Sequence, residues 1–148
     1  MRTLLLVVLI CAGCTGQNAQ DTQRYVPQRR EVTITTVPLL VKEQEGVLPF
    51  LAPAFADDGV LHDREVYGFS PSTVTVYEGD TIAFHFINPE DDVHSFVLPD
   101  FSVSLPGGSA TDTTYVARQA GIYKFICAIP AHMPMMWGQL VVLRKSRE

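Results

Sequence analysis

The stretch Thr73-Val-Thr-Val-Tyr77-Glu78-Gly79-Asp80-Thr81-Ile-Ala-Phe-His-Phe-Ile87 alternates apolar and polar side chains on either side of a three-residue polar break. Alternation with period two marks strands, because successive side chains of an extended chain point to opposite faces. β-Branched and aromatic residues fill both halves, and Glu-Gly-Asp supplies turn chemistry between them. The stretch is expected to form a hairpin of two alternating strands.

Strand-like runs recur outward from it. Ser95–Leu98, Asp112–Val116, Gly121–Ile126 and Gly138–Leu143 follow, and Glu31–Val37 precedes. Short strands at close, even spacing predict an antiparallel β-sandwich. No internal repeat is visible. Residues 43–61 are apolar, but Pro49 and Pro53 argue against a long helix there, so a short helical turn or a covering loop is expected. With 148 residues, 47% of them hydrophobic, the chain suits one domain with one core. The formal net charge is −5 and the eleven Lys and Arg residues form no long basic run, so nucleic-acid binding has no electrostatic footing.

The N-terminus reads as an export signal. One arginine, an apolar run and small residues lead to Cys14 in Met1-Arg-Thr-Leu-Leu-Leu-Val-Val-Leu-Ile-Cys-Ala-Gly-Cys14. The run is far shorter than the ~20 apolar residues needed to span a bilayer. Ile10-Cys-Ala-Gly-Cys14 resembles a bacterial lipobox, which implies a lipid on Cys14 as the mature N-terminus and a membrane contact through that lipid. A plain cleaved signal and an uncleaved anchor are the other readings. Residues 15–30 are polar and read as a flexible tether, leaving 31–148 as the folded domain. Cys11 and Cys14 belong to the export segment, so Cys127 stands alone in the domain and has no intrachain disulfide partner. An unpaired thiol in an oxidising compartment is a liability unless it is buried or holds metal.

Cys127 sits in such a context. Cys127-Ala-Ile-Pro-Ala-His132-Met-Pro-Met-Met136-Trp-Gly138 gathers a thiol, an imidazole and three thioethers in a short loop between two predicted strands. His94, at the start of another strand, is the further candidate donor. A thiolate, two imidazoles and a weak thioether form the set that suits copper, whereas zinc prefers a fourth strong ligand or an open water position. No acidic residue lies in the loop to supply one.

The sequence resembles the cupredoxins, the type 1 blue copper proteins. The pattern Cys127-x4-His132-x3-Met136 followed by Trp137-Gly138, with Pro130 three residues after the cysteine, is similar to an azurin-like copper loop. The segment Phe69 to Ile82 with His94-Ser95 resembles the half that carries the first ligand, and the resemblance spans about residues 64–143. It implies an all-β Greek-key β-sandwich, here with a short N-terminal extension. It also implies one copper per chain held by His94, Cys127 and His132, with Met136 as axial ligand and Met135 the next choice. The backbone N–H groups of Ser95 and Ile129 are expected to donate to the sulfur, which suits Pro130, a residue with no N–H to leave unsatisfied.

His85, between Phe84 and Phe86, is expected on the opposite strand face, and His62 on the surface. The implied function is electron transfer without bond chemistry. A copper carrier or sensor is the rival, supported by the clustered thioethers. An enzyme is disfavoured, because position 131 is Ala where a dinuclear copper site needs a second cysteine, and the chain has no room for a second copper domain. No Lys, Arg, Asp or Glu lies between Phe125 and Leu143, so Met133, Pro134 and Met135 are expected to form an exposed apolar patch for redox protein partners, with one His132 ring nitrogen near the surface.

Overall fold

The computed structural model describes residues 25–44 and 46–145. The apolar leader, Cys11, Cys14 and most of the expected tether lie outside these residues. Two sheets pack face to face. The first holds β2 (Val66–Ser70), β1 (Arg29–Leu40), β4 (Thr81–Asn88) and β7 (Ser109–Val116), in that order. The second holds β3 (Thr73–Tyr77), β9 (Trp137–Leu143), β8 (Gly121–Ile126), β5 (His94–Leu98) and β6 (Phe101–Leu105). The chain is therefore the all-β sandwich expected.

The expected hairpin does not form. β3 and β4 are strands, but they lie in different sheets, and Glu78–Asp80 carries the chain from one sheet to the other. Alternation gives each strand an apolar face without saying whether the two faces lie side by side or opposed. Here Val74 and Val76 face Ile82, Phe84 and Phe86 across the core. Gly79 makes the corner at φ +90°, a conformation open to glycine without penalty. The sandwich is also not wholly antiparallel, because β1 runs parallel to β4 and β3 parallel to β9.

β2 and β6, two five-residue strands, were not expected. The tether also ends earlier than expected. β1 begins at Arg29, inside the predicted tether, and the residues before it are tied to the turn at Asp80. Asp80 is fully buried and accepts hydrogen bonds from the Tyr25 hydroxyl, the Gln28 N–H (2.8 Å), the Tyr77 N–H (3.1 Å) and Arg30 Nε (3.2 Å). Burial alone would raise its pKa, but these donors outweigh burial and bring it down to about 2 from 3.8. A carboxylate depressed in the folded state stabilises fully above its unfolded value and loses that contribution as pH falls through the folded one. Stability should therefore drop between pH ~4 and ~2. Asp80→Asn should be less stable at neutral pH and flatter across that window in urea or thermal melts. Parallel curves for variant and parent would show that Asp80 is not the titrating group.

Inside, one aromatic stack fills the space between the sheets. Phe96 is fully buried and meets Phe125 at 4.6 Å and Phe86 at 4.9 Å between ring centroids, with Phe84 at 5.3 Å and Phe69 at 5.9 Å. Gly138 pairs with Phe125 across the β8–β9 ladder, and a Cβ there would lie 2.3 Å from the Phe125 ring. Glycine at 138 lets that ring lie flat against the strand. Residues 43–61 form short turns as expected: a 3-10 turn at Pro49–Leu51 and one helical turn, α1 (Ala52–Phe55). No helix among the described residues is long and apolar enough to cross a membrane.

Candidate metal centre

Strand periodicity carries the donors to the edge of this aromatic stack. His94, Phe96 and Leu98 share the inward face of β5, and Cys127 continues the inward face of Phe125 just past β8. The Cys127 N–H donates to the Met136 carbonyl at 3.0 Å, closing the loop at its base. Inside the loop the His132 N–H donates to Ile129 O at 3.0 Å, and the N–H groups of Met135 and Met136 donate to His132 O at 3.1 Å each. The chain is wound tightly over a 3-10 turn at Pro130–His132, which turns His132 back toward Cys127 and His94.

The three side chains converge. His94 Nδ1 and His132 Nδ1 are 3.1 Å apart, and Cys127 Sγ lies 4.0 Å from the first and 3.7 Å from the second. All three residues are buried. Donors that each sit 2.0–2.3 Å from one central ion in a trigonal plane must be about 3.5–4 Å from each other. The two sulfur–nitrogen spacings meet that requirement and the nitrogen pair is slightly closer. Without an ion the imidazoles could share one hydrogen bond, but His94 Nε2 would still be buried with no partner. The polar contacts of His94 thus run through Nδ1 into the trio. Its pKa is lowered to about 4 by burial, with the neighbouring His132 adding to the effect. His132 is also lowered by burial, and Asp92 and Glu65 pull it part of the way back. Both rings are neutral at neutral pH, the state a metal ligand must have.

Met136 is 1% exposed, whereas Met133 is 42% and Met135 56% exposed. Burial therefore separates Met136 from Met135 as the thioether packed into the core. Ser95 contacts the sulfur through its hydroxyl, at 3.8 Å. That hydroxyl accepts from the Ala128 N–H at 2.9 Å and so ties β5 to the loop. Ile129 packs on the core and lends its carbonyl to His132.

His85 stands apart on the outer face of β4, 2.6 Å from Asp112, and His62 is half exposed beside Asp63. Met133, Pro134 and Met135 are exposed, as expected. His132 is not: at 4% exposure it is almost wholly covered. Its cover is a group the sequence did not reveal. The Tyr67 ring lies 4.6 Å from the His94 ring and 4.7 Å from that of His132. Its hydroxyl contacts Asp92 (2.6 Å) and Glu65 (2.9 Å), whose carboxylates cluster beside His132. Burial, then those carboxylates, raise the Tyr67 pKa, so the phenol keeps its proton. Asn88 sets the approach to His94: Oδ1 accepts from Thr36 (2.7 Å), and Nδ2 donates to Asp92 O (2.7 Å) and Leu105 O (3.0 Å). A buried amide must have its hydrogen bonds satisfied, and these three bonds do so.

The chain matches the cupredoxin-like domain over residues 54–142 and belongs to that family. It is 44% identical to Auracyanin-A of Chloroflexus aurantiacus over 36 residues, which is 24% of this chain and 22% of that protein's length. Its fold is like the solved structure of auracyanin A, described as a "blue" copper protein from the same bacterium: 18% identity, 78% of this chain, 99% of that one, TM-score 0.50. It is also like the copper nitrite reductase from Nitrosomonas europaea: 22% identity, 78% of this chain, 42% of the enzyme, TM-score 0.55.

Proposed function

We propose that the chain is an exported blue copper protein, held at the outer face of a bacterial membrane by a lipid on Cys14, that carries single electrons between redox protein partners. The convergence of one buried cysteine and two buried neutral histidines carries this reading. His94 Nδ1, Cys127 Sγ and His132 Nδ1 would hold one copper, with the Met136 thioether as a further, weaker donor. Copper supplies the one-electron couple, and a cysteine thiolate with two imidazoles suits both of its oxidation states.

The residues of the chain do the rest. The trio is fixed by a loop closed on its own backbone and by the Ser95 and Asn88 hydrogen bonds, so little rearranges when the charge of the site changes. Burial excludes water from the thiol. Residues 1–14 would serve as the signal, followed by a tether that is shorter than the sequence suggested, since the domain begins before Arg29. Cys127 is the free cysteine of the described residues, and the trio it forms offers a place for one metal. That suits a carrier better than an enzyme that works with several.

The test is the visible spectrum of the copper-loaded full chain in detergent. An intense band that bleaches on adding reductant is expected. The exposed thioethers of Met133 and Met135 favour a second reading, a copper carrier or sensor that delivers the metal to another protein. A carrier would show a weak band and lose its copper to a chelator within minutes, and that outcome would replace the first reading.

A further inference from the structure

The copper end of the sandwich is strongly acidic, whereas the opposite end is close to balanced. The connection of residues 41–65 joins β1 to β2 at the end where His94 and the Cys127–Met136 loop lie. It carries Glu43, Asp57, Asp58, Asp63 and Glu65 against Lys42 and Arg64. The 89–93 loop that leads into His94 adds Glu90, Asp91 and Asp92, with no cation. Among the described residues this end therefore holds eight carboxylates against two cations, more negative than the whole chain at −5. At the other end, Arg29 and Arg30 open β1, Arg118 follows β7, and Arg144 and Lys145 follow β9; the acids near them are Glu31, Glu78, the buried Asp80 and Asp100, which holds the Tyr115 hydroxyl at 3.1 Å.

Within the acidic rim lies apolar surface. A groove of ≈ 210 Å³ runs between Val60, Leu61 and Val66 on one side and Met133, Pro134 and Met135 on the other. Val60 is 84% exposed. The apolar patch of the copper loop is thus half of a larger surface whose other half comes from the connection before β2.

We propose that this surface docks a redox protein with a lysine- or arginine-rich face, whose central apolar side chain enters the groove while its cations meet the carboxylates around it. The proposal rests on the electron-carrier reading. An acidic rim steers a cationic partner and repels anionic ones, and a small apolar centre gives the short-lived contact that turnover needs. The same rim repels an anionic lipid surface, so the copper end points away from the membrane.

The test follows electron exchange of the copper-loaded full chain with a small lysine-rich c-type cytochrome and with the same cytochrome succinylated to reverse its charge. Raising ionic strength from ~0.01 to ~0.1 M shortens the Debye length from about 30 to about 10 Å. Exchange with the cationic form should slow at least about tenfold over that range, and at low salt it should exceed the succinylated form by a similar factor. Asp57→Lys with Asp58→Lys and Asp91→Lys should remove most of that preference while the visible band stays in place, which also shows that the variant is folded. Equal rates for the two cytochromes, or no change with salt, would overturn the proposal. So would self-association of the chain at low salt through this end, since the acidic surface would then be occupied by another copy. Hexaammineruthenium and hexacyanoferrate separate the two levels. Exchange with these reagents but no cytochrome preference sinks the docking surface alone. A colourless protein that still binds the cationic cytochrome in a titration sinks the electron-carrier reading and keeps the surface.

Discussion

Replacing Cys127 with alanine abolishes the visible band of the copper-loaded protein and its tight hold on the metal. Loss of a residue that merely supports a ligand costs 10–100-fold in metal affinity, so loss of the thiolate itself should cost more than about hundredfold. The colour is the sharper readout, because of the three buried donors only the sulfur can give an intense charge-transfer band. The fold should survive: Cys127 is a small buried residue at the edge of the aromatic stack, and alanine removes a single atom there. Far-ultraviolet dichroism of the variant should match the parent. His85→Ala is the control, since that imidazole lies on the outer face of β4 beside Asp112 and should leave the band untouched. A Cys127→Ala protein that keeps its band would overturn the assignment of the whole trio.

Much of this site could be read before the structure because the donors follow local rules. Cys127 and His132 sit in one short loop, and Met136 closes it, so no long-range information is needed to bring them together. His94 needed more. Its place depends on β5 lying beside β8, which the sequence shows only through the resemblance to a family. Tyr67, Glu65 and Asp92 escaped because nothing local marks them. Glu65 and Tyr67 stand together at the start of β2, 25 residues and more from Asp92 in its loop and farther still from His132, and the group meets only when the sheets close. Tyr67 reads in sequence as an ordinary aromatic of a five-residue strand.

The misread hairpin has a similar cause. Period-two alternation fixes which side chains share a face, but it carries no information about which neighbour supplies the hydrogen bonds. β3 takes its partner from β9, more than sixty residues away, and Gln139↔Thr73 begins that ladder. The choice among methionines was likewise a matter of packing. Spacing favoured Met136, and its near-complete burial beside two exposed neighbours gives that choice a physical basis. The short tether also fits this pattern: the polar residues Tyr25, Gln28 and Arg30 look unstructured in sequence, yet each finds Asp80.

Phe96→Ala should cost about 3–5 kcal/mol of stability, the range for removing a large aromatic from a packed core. The position justifies the upper part of that range. Phe96 has no exposed surface and touches rings from both sheets, so neighbours on either side are already held by other contacts and cannot collapse into the space. For a domain of this size each kcal/mol moves the midpoint by roughly 3–5 °C, so the copper-free protein should melt about 10–20 °C lower. Phe96→Leu keeps most of the volume and should cost less than about 1.5 kcal/mol. The consequence for the site is what distinguishes this position from an arbitrary core residue. His94 stands two residues before Phe96 on the same face of β5, and Cys127 two residues after Phe125, whose ring packs against Phe96. The donors therefore rest on that ring pair. With Phe96 gone, the visible band should persist at low temperature, because the loop hydrogen bonds still hold Cys127 and His132. Copper should nevertheless leave the variant at a lower temperature than it leaves the parent, in step with unfolding. A destabilisation below about 1 kcal/mol would mean that the core relaxes around the gap, and the close packing inferred for the interior would be wrong.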